Sequence, residues 1–244
     1  MEKWSSEELQ ARYAGLEDNI RRVQENIERA AAQAGRCAQE VRLLAATKTV
    51  PAEVINRAME CGIDLIGENR VQELQSKWEE LRRDRAEIHL IGHLQTNKVN
   101  AVVGMVRMIE SVDSVRLAKA ISQRSLALGI VTEVLVEVNV GEEESKSGVR
   151  VVELEEILHN ISSFPGISVR GLMTIPPICE TKNEIRQIFS RFRQLFVDIQ
   201  GKRIDNINMD VLSMGMSGDY EEAVAEGATL VRVGSALFGS RQPH

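Results

Sequence analysis

The chain has 244 residues, 43% hydrophobic and 27% charged, enough to bury a sizeable core and too short for two full domains. Its 36 acidic residues outnumber 30 basic ones, and the net charge of -6 argues against a nucleic-acid binder or an anionic membrane surface, because both need a basic footprint. Three widely spaced cysteines (Cys37, Cys61, Cys179) form neither a disulfide framework nor a CxxC metal site, so a reducing, cytoplasmic setting is expected.

The charged start MEKWSSEELQ lacks the apolar stretch of a secretory signal, and runs such as Ala101 to Val103 are far too short to span a bilayer. Residues 6 to 35 then read as one long helix. Ser5 with Glu8 makes a capping box, and Gly35 is a candidate C-cap. Leu9, Tyr13, Leu16, Ile20, Val23 and Ile27 fall at steps of three and four, a narrow apolar seam. That seam packs either on the rest of this chain or on a second subunit, so a monomer or a weak homodimer is expected.

Beyond the helix, short Val/Ile/Leu-rich runs alternate with helical patterns. Strands are predicted at Val41 to Lys48, Leu65 to Asn69, Ile88 to His93, Met108 to Ser111, Glu133 to Val140, Ser168 to Met173, Val211 to Met214 and Leu230 to Gly234. Helices are predicted after Pro51 and from Val71, Gln95, Ser114, Val151, Lys182 and Tyr220. Eight strands with intervening helices imply parallel pairing and right-handed crossovers, hence an α/β fold of the (β/α)8, TIM-barrel type with an extra N-terminal helix. A doubly wound open sheet is the alternative. No linker or composition shift divides the chain, so residues 1–244 are expected to form a single domain, with 1–38 as the helix packed on the barrel.

In such a barrel the chemistry gathers at the C-terminal ends of the strands. Lys48 closes an apolar strand, which desolvates its stem and favours a reactive amine of the Schiff-base kind; the alternative is a lysine snorkelling from a strand end. Ser213-Met214-Gly215-Met216-Ser217-Gly218 and Gly234-Ser235 follow the last two strands, where barrels often hold phosphate on backbone N–H groups and hydroxyls; ordinary turn chemistry is the alternative. Alternation turns Arg232 into the barrel, where it requires either a carboxylate partner or a ligand. Asn69 is placed either to bond a ligand or to cap the next helix. His93 is a polar residue of the rim, and His89, four residues earlier on a strand, does not form a chelating pair with it, so no metal site is expected. Lys146 lies in an acidic, polar loop.

The stretches AATKTV, IGENRVQE, IHLIGHLQTNK, SVDS, VEVNVGEEESKSG, GLMTIPP, LSMGMSGDY and VRVGSALFG resemble the YggS/PROSC family of pyridoxal 5'-phosphate (PLP) binding proteins, similar to the barrel domain of alanine racemase standing alone. The match runs from about Val41 to Gly239. The resemblance implies that Lys48 forms the internal aldimine with PLP, and that Ser213, Ser217, Gly234 and Ser235 hold the phosphate. It further implies that Arg232 faces the pyridine nitrogen, that Asn69, Met173 and Met214 lie at the cofactor, and that Lys146 takes part in handling PLP. The implied role is intracellular PLP, or vitamin B6, homeostasis without catalytic turnover, with PLP-dependent apo-enzymes as recipients.

Two rival functions follow from the same residues. An amino-acid racemase needs a second base opposite Lys48. In two-domain racemases of this fold that base is a tyrosine from a second domain, whereas here the tyrosines are Tyr13 and Tyr220. A Schiff-base aldolase would use Lys48 and the phosphate loops without PLP.

Overall fold

The computed structural model describes residues 6–141 and 147–239. Ser5 of the expected capping box, Lys146 and the tail Arg241 to His244 lie outside the described residues, as do the side chains of Glu8 and Leu9.

Helix α1 (Ser6–Gln33) opens the chain. It ends as expected at Gly35, whose φ of 69° lets the chain turn back so that Arg36 N donates to Ala31 O at 2.9 Å. The strands are β1 (Arg42–Ala46), β2 (Leu65–Glu68), β3 (Glu87–Leu90), β4 (Met108–Val112), β5 (Thr132–Asn139), β6 (Val149–Arg150), β7 (Ile167–Met173), β8 (Ile207–Ser213) and β9 (Leu230–Val233). All pair in parallel, in the order β4-β3-β2-β1-β9-β8-β7-β5, and β4 pairs with β5 to close the ring. An eight-stranded barrel results, with the two-residue β6 added outside β5. The open-sheet alternative is thereby set aside.

The crossovers carry α2 (Ala52–Glu60), α3 (Val71–Lys77), α4 (Val115–Ala127), α5 (Leu154–Ser162), α6 (Lys182–Lys202) and α7 (Tyr220–Ala225), and α8 (Ser235–Phe238) follows β9. Ser114 and Thr181 cap α4 and α6 by accepting from Leu117 N and Glu184 N. Two expectations need correction. The segment after Gln95 is a 3-10 helix, Thr96–Ala101, because its Thr-Asn-Lys-Val-Asn sequence supplies only one buried apolar residue, Val99. Strand β8 begins at Ile207, four residues before the expected Val211, since the exposed Asn208 and Asp210 hide its alternation.

The main core lies between barrel and helices and takes outward residues such as Ala45, Ile66, Val134, Val231 and Val233. The barrel interior is packed by Leu44, Ala46, Leu65, Ile91 and Leu230, and by Met108, Leu135 and Met173. The α1 seam faces this same chain: Leu16, Ile20, Val23 and Ile27 are buried, and α1 rests on α2, α7 and α8.

Candidate functional site at the barrel mouth

Along six of the eight barrel strands the inward residues change from apolar to polar toward the C-terminal end. Leu44 and Ala46 lead to Lys48, Leu65 to Asn69, Met108 to Glu110, Leu135 to Glu137 and Asn139, Val211 to Ser213, and Leu230 to Arg232 and Gly234. On these strands the lower layers are mainly apolar and the upper ones form a polar mouth, with His89 of β3 a polar exception level with Met108.

A buried polar column runs down from that mouth. Arg232 is only 4% exposed. Its Nη1 donates to Ser213 Oγ at 2.6 Å and its Nη2 to the Thr174 carbonyl at 2.7 Å. Ser213 Oγ donates to Glu110 Oε2 at 2.7 Å, and Glu110 Oε1 meets His89 Nδ1 at 2.7 Å. Burial pushes the Arg232 pKa down, and the carboxylates of Glu110, Glu137 and Asp219 push it back up. Glu137, also buried, is raised to about 7, first by desolvation and then by Asp113, against the pull of Arg232 and His93. His93 sits exposed on the rim with Nδ1 3.2 Å from Asp113 Oδ2.

The loops after β8 and β9 are tied to each other. Ser217 Oγ accepts from Gly234 N at 3.0 Å and Ala236 N at 3.3 Å. Gly215 turns the first loop at φ 93°, and a side chain there would run into Ala223 and Tyr220. Asp219 Oδ1 accepts from Met216 N at 2.5 Å and pins the same loop.

Lys48, Asn69, Ser217, Gly234 and Ser235 thus come together at the ends of four neighbouring strands, β2, β1, β9 and β8. The other expected residues are placed differently. The Ser213 hydroxyl is engaged by Arg232 and Glu110 inside the barrel. The Met214 side chain turns outward into the core under the helices, as the residue after an inward Ser213 must. Met173 belongs to the apolar plug with Met108 and Leu135. Tyr220 is buried against α1, where its hydroxyl accepts from Asn26 Nδ2 at 2.8 Å.

Sequence reasoning missed a second buried network behind β1 and β2. Lys77 of α3 is 1% exposed, and its Nζ donates to Thr47 O (3.0 Å), Glu68 Oε1 (2.9 Å) and Glu73 Oε1 (2.8 Å). Thr47 Oγ1 donates to Glu68 Oε1 at 2.7 Å, and Thr49 N donates to Glu73 Oε1. Burial pushes the Glu68 carboxyl above its usual range, with the Lys77 charge pulling it down. Thr49 has φ 64°, a left-handed backbone that costs a β-branched residue about 1–3 kcal/mol.

The family model described as alanine racemase, N-terminal domain, matches residues 19–242. A pyridoxal phosphate homeostasis protein of Aquifex aeolicus is 45% identical over 225 residues, 92% of this chain and 98% of its own. The chain belongs to the pyridoxal phosphate homeostasis family, within the alanine racemase N-terminal domain class. Among solved structures of that class, PipY of Synechococcus elongatus with PLP bound aligns with a TM-score of 0.77 at 35% identity, covering 88% of this chain and all of that one (100%). Alanine racemase from Corynebacterium glutamicum shares the fold at a TM-score of 0.67 and 18% identity, covering 92% of this chain and 62% of the racemase. The homeostasis family thus corresponds in extent to the racemase barrel.

Proposed function

We propose that this protein binds PLP in the barrel mouth and serves PLP homeostasis in the cytoplasm as a single-domain carrier, without catalytic turnover. The observation that carries the reading is the adjacency of Lys48 to the Gly234–Ser235 turn. Strands β1 and β9 pair directly, Ala45 with Val233, and a side chain at Gly234 would press on Ala46 O at 3.2 Å. Lys48 and the Gly234–Ser235 turn therefore follow two directly paired strands.

The residues present fit the cofactor. Asn69 Oδ1 is buried and, among the described residues, has no hydrogen-bond partner, so it is an acceptor open to a ligand donor. Ser217 and Ser235 offer hydroxyl donors for the phosphate, and Gly234, whose N–H is held by Ser217 Oγ, lets the backbone of that turn come close. Lys48 would hold the cofactor covalently through its amine, as a Schiff base with the aldehyde and with loss of one water. Arg232 uses two N–H groups on Ser213 and Thr174, and its remaining donors would face the ring nitrogen and favour its unprotonated form. Bound PLP supplies an electron sink, which works best with that nitrogen protonated; an arginine there suits storage over carbanion chemistry. The engagement of Tyr220 with Asn26 leaves it unsuited to act as an opposing base. PLP-dependent apo-enzymes are the expected recipients.

Borohydride reduction of the PLP-loaded protein followed by peptide mapping tests this reading. The pyridoxyl group is expected on Lys48, and Lys48→Ala is expected to lose the visible absorbance. A label chiefly on Lys146 refutes the anchor. Rapid washout of an amino-acid α-proton into solvent refutes the carrier role in favour of a racemase.

A further inference from the structure

We propose that Lys77 is a positioning residue for Lys48: its buried ammonium, on the far side of the barrel wall, fixes the turn that carries the Lys48 amine. The proposal rests on Lys48 being the covalent anchor. An ammonium has three donors, and here all three find acceptors: Thr47 O, Glu68 Oε1 and Glu73 Oε1. Those acceptors bracket Lys48. Thr47 immediately precedes it; Lys77 binds its carbonyl and Glu68 its hydroxyl, in addition to its bonds to Gly67 O and Val50 N. Thr49 immediately follows it and is held through its N–H by Glu73, the carboxylate that also receives Lys77.

Packing alone does not account for a lysine at this place. Full burial of an ammonium carries a desolvation penalty, and replacement of buried ion pairs by apolar residues of similar volume is often neutral or stabilising. The ion pair does something an apolar residue cannot: it anchors three backbone or hydroxyl groups of a turn whose last residue is in the left-handed region. Without that anchor the Thr47–Thr49 turn is free to relax toward ordinary backbone angles, which rotates Lys48 away from the Gly234–Ser235 side of the mouth. Asn69, which follows Glu68 directly, is steadied by the same network from β2.

The test compares wild type with Lys77→Met/Glu68→Gln, which removes the two fully buried charges together and leaves the Glu73 carboxylate, 17% exposed, accepting from Thr49 N. Each protein is incubated with PLP and reduced with borohydride at short times. The label on Lys48 is then quantified against the label on the exposed Lys119, with the urea midpoint measured in parallel. The expected result is a urea midpoint close to wild type, an unchanged rate at Lys119 and a rate at Lys48 at least ten-fold lower. A folded double variant with a wild-type Lys48 rate overturns the proposal. If the double variant does not fold, Glu73→Ala decides, since it keeps the Lys77–Glu68 pair and removes the acceptor of Thr49 N. A Lys48 rate at least five-fold lower supports positioning, and a wild-type rate overturns it. No label on Lys48 in the wild type refutes the anchor itself, a result distinct from either.

Discussion

Arg232 Nη1 lies 2.6 Å from Ser213 Oγ, and the same hydroxyl donates to Glu110, so Ser213 links a buried cation to a buried carboxylate. Four residues further on, Ser217 does different work, joining two loops at the mouth. The two serines of one motif should therefore part company on mutation. Ser213→Ala is expected to lower stability by about 1–3 kcal/mol, the cost of leaving buried polar groups short of a partner. Its effect on PLP affinity should stay within about three-fold. Ser217→Ala should do the reverse, weakening PLP about ten-fold, roughly 1.4 kcal/mol. Urea denaturation and PLP titration of both variants check this.

The phosphate should carry much of the affinity. Charge-assisted bonds from Ser217, Ser235 and the adjoining N–H groups are worth about 1.5–3 kcal/mol each. Pyridoxal, which keeps the aldehyde and lacks the phosphate, should bind at least ~100-fold more weakly, about 2.7 kcal/mol. Equal affinities in a competition titration would show that these loops hold something else.

Glu137 gives the protein a pH dependence with a definite sign. Its carboxyl is raised to about 7 in the fold, and returns to the ordinary glutamate range on unfolding. Between those values the folded state holds the extra proton, so the stability contributed by this group is complete at low pH and is lost as pH rises through 7. Glu137→Gln removes that loss. Relative to wild type it should gain about 2 kcal/mol between pH 5 and pH 8. Urea unfolding at the two pH values measures it, and parallel curves for the two proteins would place the titration elsewhere.

Arg232 is surrounded by Glu110, Glu137 and Asp219. A reversal to glutamate adds a fourth carboxylate and should prevent folding. Arg232→Met leaves Glu110 buried beside Ser213 without its cation, and should cost about 3–5 kcal/mol. Pairing it with Glu110→Gln should recover most of that loss. Thermal melts of the single and double variants give the coupling directly.

The barrel was legible because buried parallel strands read as short apolar runs, and β1, β2 and β9 are such runs. Alternation also oriented Arg232 correctly, and followed one step further it would have turned Met214 outward and found Glu110, an acid inside the apolar run of β4. The start of β8 was hidden by the exposed Asn208 and Asp210, the latter paired with Arg170 of β7 at 2.7 Å. Lys77 left no signal at all. It ends a short helix among Gln, Ser and Glu and reads as a solvated residue. Only the closeness of α3 to the β1–β2 wall, a tertiary fact, reveals it.

The first helix has a consequence that reaches the mouth. Asn19 Nδ2 donates to Leu237 O at 3.0 Å, Asn26 Nδ2 to Tyr220 Oη at 2.8 Å, and Arg36 Nη1 to Val224 O at 2.7 Å. These three anchors land on α7 and α8, the segments that leave the two loops proposed to hold the phosphate. Amide-exchange protection of Tyr220 and Leu237 is thus expected to follow that of α1, whereas β1 and β2 exchange with the barrel itself. Two foldons of different stability would then meet at the proposed ligand: undocking the helix would loosen chiefly the loops on the α7 and α8 side, while the lysine side, touched by α1 mainly through α2, would keep its barrel pairing.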